Sequence, residues 1–134
     1  MKVLTAVLIV IGGLLFGAAP VLAHHSFMAE FDQRQAFVIE GVVTKVDWIN
    51  PHTTFDVEAK DETGKTVNWI LQTGSPNALI SRGWVRDSMK IGDHVTVHAY
   101  RAKAGGNLAA ARSVTLADGR TVFSGQTDDG GPDK

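Results

Sequence analysis

Phe37-Val-Ile-Glu-Gly-Val-Val-Thr-Lys-Val-Asp-Trp48 is the most informative stretch of the chain, because it is rich in β-branched and aromatic side chains yet carries a glycine in its middle. Ile39, Gly41 and Val43 fall on one face of a period of two, after which the apolar phase slips to Val46 and Trp48. One slip inside an otherwise regular alternation predicts a single long strand with a bulge. Gly41 predicts a sharp bend, of the kind a small barrel needs where one strand serves both of its sheets.

Reading outward toward the C-terminus, Ile49-Asn50-Pro51 forms a turn and His52 leads into a second strand over residues 53–59. There Phe55, Val57 and Ala59 alternate with Thr54, Asp56 and Glu58. The charged loop Lys60-Asp61-Glu62-Thr63-Gly64-Lys65 returns the chain into a third strand, residues 66–72, with Val67, Trp69 and Leu71 on one face. Ser75 as cap, Pro76 at the first helical position and Gly83 as terminator specify a short helix, and Trp84 is placed to cover one end of a barrel. A fourth strand over residues 93–101 turns Val95, Val97 and Ala99 inward and His94, Thr96 and His98 outward. A fifth runs over residues 108–116, and the turn at Ala117-Asp118-Gly119-Arg120 gives a short hairpin strand at 121–123. Residues 124–134 hold too little apolar surface to fold and are expected to be a disordered tail. A helix between the third and fourth of five strands is the arrangement of the OB-fold, so the fold class is mainly β: an OB-fold-like five-stranded Greek-key barrel with one helix and a C-terminal hairpin strand. An immunoglobulin-like sandwich is the second choice, but it needs no helix and usually has seven strands.

Reading toward the N-terminus, residues 27–35 show no clean period, and residues 24–36 read as an arm laid over the domain. Before it stand a positive Lys2, an almost wholly apolar run from Val3 to Ala19, and Val21-Leu22-Ala23, with small residues where signal peptidase reads. Residues 1–23 are therefore expected to be a cleaved export signal; a membrane anchor is the rival reading, disfavoured by the polar His24-His25-Ser26 directly after the cleavage motif. The 111 residues that remain make one domain, residues 37–123 with its arm and tail, large enough for a core without disulfides, and the chain has no cysteine. That mature chain carries 12 basic and 14 acidic residues with signs interspersed, which argues against nucleic acid as a partner, and once the signal is removed no membrane segment is left.

His24-His25-Ser26-Phe27, Asn50-Pro51-His52, Gly74-Ser75-Pro76-Asn77, Arg82-Gly83-Trp84 and Lys90-x-Gly92-Asp93 together resemble a family of short exported bacterial proteins known only as a domain of unknown function. The resemblance spans residues 24 to about 123. It implies an OB-like barrel in the periplasm of a Gram-negative bacterium and brings no activity or ligand with it.

Two classes of binding chemistry are legible. Cleavage after Ala23 would free the α-amine of His24, which with its imidazole, or with His25, offers nitrogen donors suited to Cu(II), Ni(II) or Zn(II), copper being favoured by the general affinity order. The third position is Ser26 rather than histidine, so a self-contained amino-terminal chelate is incomplete and His52, presented by the Pro51 turn, is the expected partner. His94 and His98 lie about 13 Å apart along one strand and cannot share an ion. The second class is a barrel face for a sugar, peptide or small organic ligand, built from Trp48, Asn50, Trp69, Asn77 and Trp84. Catalysis finds little support: there is no nucleophile elbow, and Gly74-Ser75-Pro76 reads as a helix cap. A protein partner is not legible.

Overall fold

The computed structural model describes Phe27 and residues 29–126. The expected signal, His24, His25 and residues 127–134 lie outside the described residues. Phe27, Ala29 and Glu30 are helical and belong to a separate N-terminal unit. From Phe31 the chain forms six strands, β1 (Phe31–Asp47), β2 (Thr54–Lys60), β3 (Thr66–Gln72), β4 (His94–Ala102), β5 (Leu108–Thr115) and β6 (Thr121–Phe123), with the helix α1 (Pro76–Ser81) and one 3₁₀ turn (Arg86–Ser88) between β3 and β4.

The strands neighbour one another in the order β3-β2-β1-β4-β5-β6, and a parallel pairing of β3 with β5, Ile70 opposite Leu108 to Gln72 opposite Ala110, closes the first five into a ring. The remaining neighbours are antiparallel. This is the barrel read from the sequence: five strands closed as a Greek key, a helix after the third, and β6 as the extra hairpin strand on β5.

β1 behaves as its alternation predicts. Its first half pairs with β4 and its second half with β2, and Gly41 belongs to both ladders, opposite Val95 on one side and Ala59 on the other. A side chain is excluded there by the neighbouring strand: a Cβ would sit 2.2 Å from the Glu58 carbonyl oxygen. The predicted phase slip is a register shift between Val43 and Lys45. Thr44 is taken out of the alternation and Val46 and Trp48 return to the core side.

The arm reading is corrected at its C-terminal end, because β1 begins at Phe31, six residues before the expected strand. Phe31 is fully buried and pairs with Ala102. The sequence hides this because the ladder with β4 shifts between Asp32 and Ala36. The Asp32 carboxylate holds that irregular turn, accepting bonds from the backbone N–H and Nε of Arg34 and from the Gln35 amide. These bonds, the Arg34 side chain foremost, hold the Asp32 carboxyl far below the ordinary carboxylate range.

The tail reading also needs correction at its start. Ser124 is fully buried, its N–H donating to Arg112 O and its carbonyl accepting from Gly74 N at 2.8 Å. Gln126 Nε2 donates to Gln72 O at 3.2 Å. Gly125, at φ +68°, lies so close to the backbone of Ala78 that a Cβ would meet its carbonyl carbon at 2.8 Å. Polar composition suggests solvation, yet these residues seal the seam between β3 and α1 with backbone bonds that composition does not encode.

The core gathers the inward residues of every strand, with Ile39, Val43, Phe55, Val57, Leu71, Val97 and Val114 at its centre. α1 contributes Leu79, which is fully buried. Ser75 caps the helix as the sequence predicts, its Oγ accepting from Ala78 N. Among the described residues no helix is long and apolar enough to cross a membrane.

Candidate functional site

The two ends of the ring are chemically different. At the end where β1 leads to β2 and β3 leads to α1, Trp84 is buried, and its indole N–H donates to Phe123 O at 2.8 Å. Trp48 packs beside it with ring centroids 6.4 Å apart. This end is plugged, as expected of Trp84, and with its ring in the core and its one donor used, that indole is not a ligand platform.

Among the described residues the opposite end is open. Strand parity sends Phe37 to the same side as Ile39, Trp69 to the same side as Leu71, and Arg101 to the same side as Val97 and Ala99. All three therefore point toward the barrel axis at its rim. Phe37 and Trp69 meet with centroids 4.9 Å apart at a 52° tilt. The Arg101 guanidinium lies over both, 4.1 Å from the Phe37 centroid and 5.3 Å from that of Trp69. Around them Lys60 to Thr63 of the β2–β3 turn and Gly106-Asn107 of the β4–β5 loop complete a mouth of about 560 Å³. That size falls within the range of small-molecule sites.

Polar groups at the rim are unequally committed. Asp61 is spent on its own turn, accepting from Thr63 Oγ1 at 2.6 Å, Thr63 N at 2.8 Å and Lys65 N at 3.0 Å. Those donors, the Thr63 hydroxyl first, lower its pKa. Lys60 Nζ donates to Thr66 Oγ1. The Arg101 side chain makes no hydrogen bond or ion pair among the described residues, is exposed, and lies against the two rings.

His52 sits at the plugged end, exposed, after a cis Asn50–Pro51 bond. Its Nδ1 is 2.9 Å from Thr73 O. A carbonyl only accepts, so Nδ1 carries the proton and in the neutral ring the lone pair is on Nε2. A bond from one ring nitrogen to a carbonyl commonly orients an imidazole that binds metal through the other. Among the described residues no three His, Asp or Glu side chains are grouped as a metal set. His94 and His98 are exposed on β4 opposite Val42 and Val38.

The proposed five-residue face is divided by the structure. Trp48 and Trp84 belong to the plugged end, Asn50 and Asn77 are exposed there on the β1–β2 loop and on α1, and Trp69 joins the mouth. Sequence reasoning missed Phe37 and Arg101 as partners of Trp69. A signal existed: Arg101 is in phase with the inward row Val95, Val97 and Ala99, and a charge on an inward phase at a strand end marks a rim. A larger cleft of about 850 Å³ lies over the Gly41 bend, lined among others by Glu40, Glu58, Asp93, His94 and Lys60. It has no Phe, Trp or Tyr wall, and its charges are of both signs.

No curated protein matches the chain. The model of a family of unknown function, DUF6152, matches residues 13–111, most of the barrel included. A match over that much of the sequence, on a chain that folds as one closed barrel from Phe31 onward, places this protein in the DUF6152 family.

Proposed function

We propose that this chain is a small exported binding module, acting in the periplasm, whose open barrel end holds a small planar organic ligand against Trp69 and Phe37. The observation that carries this reading is the contrast between the two ends: one is plugged by a buried tryptophan, the other is a concave mouth with a half-buried indole and, at its rim, a guanidinium that has no hydrogen-bond partner among the described residues. Aromatic walls with a few placed polar groups are the usual make-up of a small-molecule site. The motif set and the apolar leader support export. A screen of small aromatic compounds, monitored through the indole N–H signal of Trp69 in a nitrogen–proton correlation spectrum, tests it. Saturable shifts of that signal, with those of Trp48 and Trp84 unmoved, are expected; compounds that move none of the three would refute the mouth as a site.

A second reading is favoured by the His52 geometry. His52, its ring held by Thr73 O with Nε2 as the available donor, would join the amine and imidazole of a processed His24, or His25, around Cu(II). Protein exported and processed by a bacterial host is titrated with Cu(II) and followed by paramagnetic resonance. A nitrogen-rich signal weakened at least about tenfold in affinity by His52→Ala and by one extra residue before His24 is expected. Unchanged affinity in both variants would eliminate this site.

A further inference from the structure

We infer that the open mouth selects an anion: a planar ring bearing a carboxylate, read by Arg101 while the ring rests against Trp69. The inference deepens the proposed binding role and rests on it.

The argument begins with what the stack does to the guanidinium. Arginine usually spends considerable rotamer freedom when it engages a ligand. Here the guanidinium carbon of Arg101 lies 4.1 and 5.3 Å from the centroids of two rings, contacts that restrict the orientation of the guanidinium plane before any ligand arrives. The N–H donors lie in that plane along its edge, and among the described residues none is committed to a protein acceptor. A planar fork with free donors matches a carboxylate through two parallel bonds, which a point charge such as lysine does not reproduce.

The rim removes the nearest competitors. Asp61 could neutralise Arg101 in principle, but its carboxylate is held within its own turn by Thr63 and Lys65. Lys60, the second cation in the lining, bonds Thr66. Glu62 is exposed in the same turn and leaves the rim without a surplus of charge, so selection would come from the fork rather than from a general positive field. The aromatic floor sharpens that selection, since a carboxylate paired over apolar rings is less well screened by water than one paired on an open surface.

The test compares benzoate with benzamide, two ligands of nearly equal shape that differ in charge, through the Trp69 indole signal. Benzoate is expected to bind about tenfold or more tightly than benzamide, the ratio that a charge-assisted pair supplies. In Arg101→Gln that ratio should fall to about one, and in Arg101→Lys it should recover only in part. Arg101 is exposed on a strand end, so neither variant threatens the fold. Equal binding of the two compounds to the native protein, or a preference that survives in Arg101→Gln, would overturn the anion inference and leave the mouth a site for neutral rings. If neither compound moves the Trp69 signal while other compounds of the aromatic screen do, the anion inference falls and the mouth reading stands; if no compound of the screen moves it, both fall.

Discussion

Replacing Gly41 with alanine tests the reasoning that ties sequence to fold most directly. Gly41 is the residue where β1 passes from its ladder with β4 to its ladder with β2. A methyl group there would lie 2.2 Å from Glu58 O, 2.9 Å from Glu58 C and 2.8 Å from Val57 Cγ1. Relief requires β1 and β2 to separate by about 1 Å at a position where Glu58 is paired on both sides, with Val42 and with Asn68. Overpacking a well-fitted interior costs about 1 to 3 kcal/mol, and an obstacle made of backbone belongs at the upper end. Alanine restricts the unfolded chain more than glycine and returns about 0.5 kcal/mol, leaving a net loss of about 2.5 kcal/mol. For a domain of this size that lowers the melting temperature by about 10 to 20 °C. Urea unfolding followed by tryptophan fluorescence, with thermal melting by circular dichroism, measures both quantities. Gly64→Ala is the comparison: there φ is +82° and nothing lies within 4 Å, so only the backbone conformation resists, at about 1 to 2 kcal/mol. If Gly41→Ala stays within about 0.5 kcal/mol of the native protein, the close approach of β1 and β2 is not what requires glycine, and the account of the barrel's bend is wrong.

Two further substitutions address polar groups. Thr53 is 2% exposed and its Oγ1 has no hydrogen-bond partner among the described residues, so Thr53→Val, which keeps the branched shape, should raise the unfolding free energy by about 1 kcal/mol. A loss of stability in urea would show that the hydroxyl is satisfied. The Asp61 carboxyl, held below its ordinary value of 3.8 by the Thr63 hydroxyl and the turn amides, contributes stability that is fully present above about pH 4 and fades as pH falls through its lowered folded value. Native protein should therefore lose stability on acidification more steeply than Asp61→Ala, and parallel pH profiles would refute the assignment.

Strand existence, strand order and the helix were legible because each depends on local signals: alternation in β2 and β4, the Ser75-Pro76 start of α1, and the phase slip in β1. The same signals failed where the ladder is irregular. Residues 31–36 lack a period because the register with β4 shifts there, so the strand looked like an arm. Ser124 to Gln126 are too polar to announce themselves, and their placement comes from backbone bonds of Ser124 to Arg112 of β5 and to Gly74 after β3, with the Gln126 side-chain amide donating to Gln72 of β3. Of the candidate sites, Trp69 was chosen for its residue type, but its neighbours were not, because Phe37, Trp69 and Arg101 lie on three different strands. His52 was chosen for its turn, and the bond to Thr73 O that sets its tautomer comes from a residue at the end of β3.

Periodicity, glycine and proline act through short-range sterics, which is why the mainly β barrel, the bend at Gly41, the capped helix between the third and fourth strands and a tryptophan over one barrel end could be read from residue order alone. Which end of the ring is closed, and which is open among the described residues, follows from packing across strands distant in the chain. That outcome depends on which side chains from separate strands reach the axis together: Trp84 finds the Phe123 carbonyl and is buried, whereas among the described residues Arg101 meets the rings of Phe37 and Trp69 and no side-chain acceptor.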